Sequence, residues 1–409
     1  MNREYAHLKE LGKKLSEITN LPVQEEKKKL WIANNDLKPI RPMVYMDQLP
    51  WHEINTSDEM KLLCENEFLR SVEYSIRQLL YRWKHFPCDM VVENRIDIPH
   101  AVHNVNYGIH IVEETRQTDA GNDVVSHKYK DQIATEEDLN ALQNDEIRVD
   151  RDLDRLHMEQ CQEIFDSIIP VRFSGVDIHA GVWDRIAQMR PAQVILEDMI
   201  DRPEFMQKIV EKFVSLTMST VEQCEALGLL DPEMQYVHCT GAYTNDLPPV
   251  KEGQDHPAAK NIWAFGMAQL FTTMSPAMHE EFEIDIVRPL YERFGLLYYG
   301  CCEPLENKIG IIRKLKNVRK ISVSPWANVA KSAENMHGDF VLSLKPNPAF
   351  FVAGFAEDKI VKLVRDAIAV AKANNTPIEI IQKDVSTLEY HLDNLDRWEQ
   401  IVMRIVQDI

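Results

Sequence analysis

Alternation constrains this chain more than any other feature. From about residue 87 onward, short apolar runs bounded by Gly, Pro and polar residues alternate with stretches whose apolar residues recur at helical spacing. Parallel strands need long crossover connections, usually helices, so the pattern reads as successive βα units around a parallel sheet. The expected strands are Met90–Glu93, Val171–Gly175, Tyr236–Cys239, Leu296–Cys301, Lys320–Ser324, Phe340–Leu344 and Ile378–Ile381. Helical periodicity covers Glu197–Leu227 (broken at Asp201-Arg-Pro203), Pro276–Phe294, Leu305–Leu315, Val329–Met336 and Asp358–Ala373. Units of this kind predict an α/β chain, a (β/α)8 TIM barrel over residues 87–409.

Residues 1–86 read as an N-terminal helical extension. Leu8, Leu11, Leu15 and Ile18 share one helical face, as do Leu62, Leu69, Ile76 and Leu80. Between them, Arg41–Trp51 is an extended segment bounded by prolines. Residues 105–160 fit no βα unit. Thr118–Asp123 reads as a turn between two β-like runs, and Thr135-Glu-Glu-Asp138 as a capping box opening a helix. This insertion, hairpin plus helix, is expected over the barrel mouth. Residues 244–260 form a second long, polar, Pro-rich loop, of the kind that often serves as a lid.

The 409 residues match two or three average domains, but a barrel closes such a length around one core. Lys and Arg number 46 against 65 Asp and Glu, a net charge of −19. Nucleic acid and anionic membranes are poor partners for such a chain. The charge serves solubility or forms an acidic face for a basic partner. Seven cysteines in no framework spacing, no apolar signal core and no run of about 18 apolar residues point to the reducing cytoplasm, with thiols free or metal-bound. A small-molecule substrate and a monomer or homodimer are expected.

Barrel enzymes do chemistry where strands end, so the strand list becomes a site list. His238 through Tyr243 follow one strand, and Tyr299-Gly-Cys301-Cys302-Glu303 end another. Trp326, then Lys345 and Asn347, then Lys383 and Asp384 follow the later strands, and Glu93 and Arg95 follow the first. His238, Glu303, Lys345 and Asp384 are the candidate catalytic groups. Glu93, Arg95, Tyr243, Tyr299, Trp326, Asn347 and Lys383 are the candidate substrate contacts. Structural roles compete: His238 as a hydrogen-bonded core histidine, Lys345 and Asp384 as a buried ion pair, Trp326 as packing, the cysteines as small apolar residues. Pleating lets one of Cys301 and Cys302 face the mouth, and Cys302 is slightly favoured by its place beside Glu303. Imidazole, thiolate and carboxylate on neighbouring strands suit zinc, with His238, Cys301 or Cys302, and Glu303 as ligands.

Several segments together resemble the uroporphyrinogen-decarboxylase superfamily. Arg41-Pro-Met-Val-Tyr45 is similar to its opening R-x-P-V-W segment, and Ala187–Glu204 to a barrel-helix segment. Phe271–Phe282 is similar to its S-P-x-x-F-x-E-F helix. Tyr299-Gly-Cys-Cys-Glu303 falls where methyltransferase members carry H-x-C-G, and Leu344-Lys-Pro-Asn-Pro348 where the family has G-N-x-x-P. The likeness spans about residues 36–409. True decarboxylases continue their opening segment with M-R-Q-A-G-R, whose arginines hold substrate propionates. Here Met46-Asp-Gln-Leu-Pro-Trp51 has no arginine, which argues against tetrapyrrole decarboxylation. The resemblance therefore implies the cobamide-dependent methyltransferase branch. That branch moves methyl groups between a small methylated substrate or thiol and a corrinoid carried by a partner protein. The H-x-C histidine is replaced by Tyr299 or Gly300, and no cysteine stands near Lys383. The alternative reading is a decarboxylase or lyase of a small carboxylic acid, with Lys345, Lys383 or Arg95 as anchor. A barrel that only binds a ligand or partner is a third.

Overall fold

The computed structural model describes residues 3–117, 125–352 and 354–408. Six strands form one parallel sheet: β1 (Met43–Met46), β4 (Trp263–Gly266), β5 (Leu296–Tyr299), β6 (Val318–Val323), β7 (Val341–Leu344) and β8 (Ile378–Gln382), in the order β1-β8-β7-β6-β5-β4. Two more, β2 (Ile96–Pro99) and β3 (Val171–Ser174), pair in parallel with Ile96 opposite Val171. Two links join this pair to the edges of the larger sheet. Asp89 N, ahead of β2, donates to Val44 O of β1 at 2.9 Å. Beyond β3, His179 bridges Phe265 of β4 in parallel.

Strand alternation explains why the core divides in two. Val44 and Met46 pack into one apolar cluster with the helices, whereas Met43 and Tyr45 point to the other face, with Trp263, Phe265 and Tyr298. Burial on both faces is what makes parallel strands read as unbroken apolar runs, as Leu296–Tyr299 does. The second face is not purely apolar. Lys320 of β6, Ser343 of β7 and Glu379 of β8 stand on it fully buried, and Lys320 Nζ pairs with Glu379 Oε2 at 2.7 Å. Each strand carries its next polar group one or two pleats further on: Ser322, Lys345 and Lys383.

The helices carry the stop and start signals of their sequence. Asn66 Oδ1 accepts from Leu69 N to open Glu67–His85, whose last turn holds Arg82, Lys84 and His85. The capping box at Thr135 opens Glu136–Ala141. In the insertion, Glu113–Gln117 pairs antiparallel with Val125–Tyr129, and the turn expected at Thr118–Asp123 lies outside the described residues. The buried Arg190 ties this insertion down, bonding Asp131 Oδ1 at 2.8 Å and the carboxylate of Asp198.

Several expectations are corrected. Met43–Met46, read as an extended segment among helices, is a strand of the main sheet. Met90–Glu93 is buried but not a strand. Side chains of the helix Pro22–Asn35 satisfy its backbone instead: Trp31 Nε1 donates to Asp89 O, and Gln24 Oε1 accepts from Val92 N. Tyr236–Val237 pairs antiparallel with Thr240–Gly241 as a small hairpin, outside the parallel sheet. Its sheet place belongs to Trp263–Gly266, a run too short and glycine-ended to stand out in sequence. Of Leu305–Leu315, only Ile309–Ile312 is α-helical.

Candidate active site

The ends of β4, β5 and β8 meet the small hairpin at one point. Gly300 leaves β5 with φ +90°, and a Cβ there would come within 2.4 Å of Leu305 Cδ1, so the turn demands glycine. This turn breaks the pleat and moves Cys301 from the face of Tyr299 to that of Tyr298; Cys301 is almost fully and Glu303 fully buried. Glu303 spends its carboxylate on the backbone. Oε2 accepts from Cys301 N at 2.9 Å and Oε1 from Ala268 N at 3.2 Å, pinning the turn after β5 to the one after β4.

His238 sits at the hairpin tip with φ +54°, a left-handed conformation costly for a residue with a Cβ. Its ring stacks on Phe265 of β4 at 3.8 Å between centroids and 4° between planes. Its Nε2 lies 3.8 Å from Cys301 Sγ. Lys383, one residue past β8, places Nζ 3.1 Å from Cys301 Sγ and 3.3 Å from His238 Nε2. Cys302 Sγ stands 3.5 Å from Cys301 Sγ and 3.7 Å from Asp384 Oδ2, and Asp384 also has a left-handed backbone, φ +57°. Strain at two residues of one cluster is the kind of cost that functional sites retain.

Electrostatics follow from this packing. Burial, then the charges of Lys383 and Lys345 and the ring of His179, hold His238 down to about 2, so the imidazole is neutral at ordinary pH. The two thiols titrate as a pair. Cys302 is lowered, first because Cys301 hydrogen-bonds to it and then by Lys383. Cys301 is raised by that same bond and by burial. Lys383 is raised although burial works against its charge, because Cys239, Cys301 and Asp384 favour the ammonium. Lys345 is buried near the cluster, with Nζ 2.5 Å from Ser343 Oγ and 5.3 Å above the Tyr298 ring.

Thus His238, Cys301, Cys302, Lys383 and Asp384 converge, and Lys345 acts on them through space. The favoured cysteine is corrected: Cys301, not Cys302, meets His238, because the turn at Gly300 resets the faces. Tyr299 does not join. Its hydroxyl points to the other face, 2.7 Å from His279 Nε2 and 3.1 Å from Glu283 Oε2. Asn347 caps the turn Pro348–Phe351 with Oδ1 accepting from Ala349 N, and Trp326 is 71% exposed. Lys345 and Asp384 form no ion pair with each other; Asp384 pairs with Lys383 at 3.2 Å. Glu93, Arg95 and Tyr243 line a separate cavity of about 450 Å³, where Glu93 pairs with Lys28 and Arg95 with Asp97 and Glu233. Phe265 and His179 were not anticipated, since the β4 strand itself was not.

The donor set does not fit zinc. Both oxygens of Glu303 are taken by backbone N–H groups, and the Lys383 ammonium, 3.1 Å from the thiol and 3.3 Å from the imidazole, occupies the position a shared ion would take. Among the described residues, no three His, Cys, Asp or Glu side chains are placed to hold a metal.

An α/β fold with a parallel sheet, and a thiol–ammonium–imidazole cluster past the strand ends, define the class. No protein-family model and no curated protein matches the sequence. Among solved structures, the fold is similar to that of a methyltransferase from Methanosarcina mazei, with TM-score 0.51 and 11% identity over 91% of this chain and 98% of that one. Identity this low speaks for the fold alone. No helix among the described residues is long and apolar enough to cross a membrane.

Proposed function

We propose that the chain is a methyltransferase of the uroporphyrinogen-decarboxylase superfamily, moving a methyl group between a small substrate or thiol and a corrinoid held by a separate protein. In this reading β1 to β8 close into an eight-stranded barrel through the two links at Val44 and Phe265, and the cluster lies in its mouth. The observation that carries the reading is the triangle of Cys301 Sγ, Lys383 Nζ and His238 Nε2, with the ammonium 3.1 Å from the sulfur. Methyl transfer needs a soft nucleophile or leaving group whose charge is stabilised in a dry site, and a fixed ammonium beside sulfur supplies that. Neutral His238, with its Nε2 3.3 Å from Lys383 Nζ, helps hold that ammonium against the sulfur. The corrinoid would supply the methyl-carrying cobalt. The fold likeness to a methyltransferase agrees with this reading, and the net charge of −19 suits a basic carrier.

The test is to mix the purified chain with methylcobalamin and a panel of small thiols, following the corrinoid spectrum. Methyl loss that disappears in Cys301→Ser and His238→Gln is expected. The absence of methyl transfer in either direction, with every thiol and methylated amine or thioether tried, sinks the reading. One observation favours a second. Lys345 is a buried ammonium whose hydrogen-bonding partner is a serine hydroxyl, as a carboxylate anchor in a decarboxylase or lyase would be. Carbon dioxide release from a small acid would identify that case.

A further inference from the structure

A cavity of about 410 Å³ lies between the helix Glu67–His85, the segments around β2 and β3, and the stretch leading into the small hairpin. Its apolar wall includes Ile76, Leu79, Val92, Met234 and Trp263. That volume and an apolar lining with a few polar groups are typical of small-molecule pockets. None of Cys301, Cys302, Lys383 and Asp384 lines it, although Tyr236 and Trp263 do, two residues before His238 and Phe265.

Seven charged side chains face this cavity, and most cancel each other. Arg172 bonds Asp97 Oδ1 at 2.6 Å and grips Asp231 with both guanidinium nitrogens, at 2.9 and 2.7 Å. Arg95 is held by Asp97 and Glu233, and Glu93 by Lys28. Two charges of opposite sign are left over. Arg82 reaches Met46 O and stacks over Tyr45 at 4.8 Å, but it has no ion-pair partner among the described residues, and its buried Nε has no hydrogen-bond partner. Asp47 acts on it from beyond ion-pair distance. Asp177, exposed at the cavity rim, has neither a hydrogen-bond nor an ion-pair partner among the described residues.

Arg82 is part-buried, with Asp47 opposite in charge but beyond ion-pair distance, and the orphaned buried Nε–H on it is expensive. A ligand with an anionic end for Arg82 and a cationic end for Asp177 would pair the orphaned N–H and the unpaired carboxylate, with its hydrocarbon against the apolar wall. We infer that this cavity is a binding site for a small zwitterion, a molecule with a carboxylate and an ammonium group joined by a short hydrocarbon. Two like charges would meet one favourable and one repulsive wall. The inference stands apart from methyl transfer and holds whether or not the chain transfers methyl groups.

Calorimetry on the full chain tests it with a ruler of zwitterions: glycine, 4-aminobutyrate and 6-aminohexanoate. Hexanoate and hexylamine are the singly charged controls. Saturable binding of at least one zwitterion is expected, at least about tenfold tighter than either control, since each end adds a charge-assisted hydrogen bond. Arg82→Gln and Asp177→Asn should each weaken it by about tenfold or more. The ligand series on the unmodified chain needs no variant to fold. Equal affinity for hexanoate or hexylamine, or no binding by any of the three zwitterions, overturns the inference. Unchanged affinity in either variant, its fold verified by circular dichroism, overturns it too.

Discussion

The ammonium of Lys383 lies 3.1 Å from the sulfur of Cys301, closer than any other polar side-chain contact given for that sulfur. Thiolates, not thiols, react with alkylating agents, and a neighbouring cation favours the thiolate. The paired thiols should therefore dominate the chemistry of all seven. Cys64, Cys161 and Cys224 are pushed up to about 12, 12 and 11, chiefly by burial. Iodoacetamide at pH 7 should label one sulfur of the Cys301–Cys302 pair first, and Lys383→Met should slow that step about tenfold. Peptide mapping that finds Cys64 or Cys161 labelled as fast would count against this electrostatic account.

His238 is the group whose protonation state the site depends on. Held down to about 2, it stays neutral from pH 8 to pH 5. Nitrogen-15 spectra of its ring should show no titration over that interval. The sign for stability follows. The unfolded chain takes up a proton on this residue near pH 6.5 and the folded chain does not, so His238 draws stability away as pH falls below about 6.5. Ring shifts that titrate near 6.5 would show that the burial described here is wrong.

Lys320 and Glu379 are both fully buried and paired at 2.7 Å within the strands. Removing one member strands the other charge in the core. Lys320→Met should cost about 3–5 kcal/mol of unfolding free energy. The double variant Lys320→Met, Glu379→Leu should recover most of that loss, because an apolar pair of similar volume removes both desolvation costs. Urea denaturation measures both. A double variant no more stable than the single would mean that the pair, with Ser343 and Thr240 bonded to it, stabilises the fold outright.

Glu73 makes the N-terminal helices sensitive to acid. Burial alone would raise its carboxyl, but Cys64 N, Arg77, His7 and Leu63 N all bond to it and hold it down to about 2, from 4.5. A depressed carboxyl stabilises fully above its unfolded value and loses that contribution as pH falls through the folded one. Glu73→Gln should therefore lower stability at pH 7 by about 3 kcal/mol, and the gap to the unmodified chain should close between pH 4.5 and 2. A gap that is the same at pH 7 and pH 3 would refute the assignment.

Some of this molecule was determined along the chain itself. The apolar runs that became β5 to β8 are local, since strands buried on both faces are mostly Val, Ile, Leu and Tyr even where Lys320, Ser343 or Glu379 interrupts them. The caps at Thr135 and the helix break at Asp201-Arg-Pro203 are local for the same reason: the signal is a side chain within a few residues of the backbone it bonds. The polar residues at the strand ends were visible too, so His238, Cys301, Lys383 and Asp384 could be named from spacing. Tertiary structure alone decided which of them meet. Cys301 finds Lys383 across 82 residues and His238 across 63, and neither separation leaves a periodic trace. A continuous pleat would leave Cys301 on the face of Tyr299; the turn at Gly300 moved it to the face of Tyr298, where it meets His238. Glu303 was spent on two backbone N–H groups, and Tyr299 faced His279, because buried donors take the nearest acceptor that packing brings them. Trp263–Gly266 became a central strand by pairing with Leu296–Tyr299, a choice made by the partner strand and not by its own four residues.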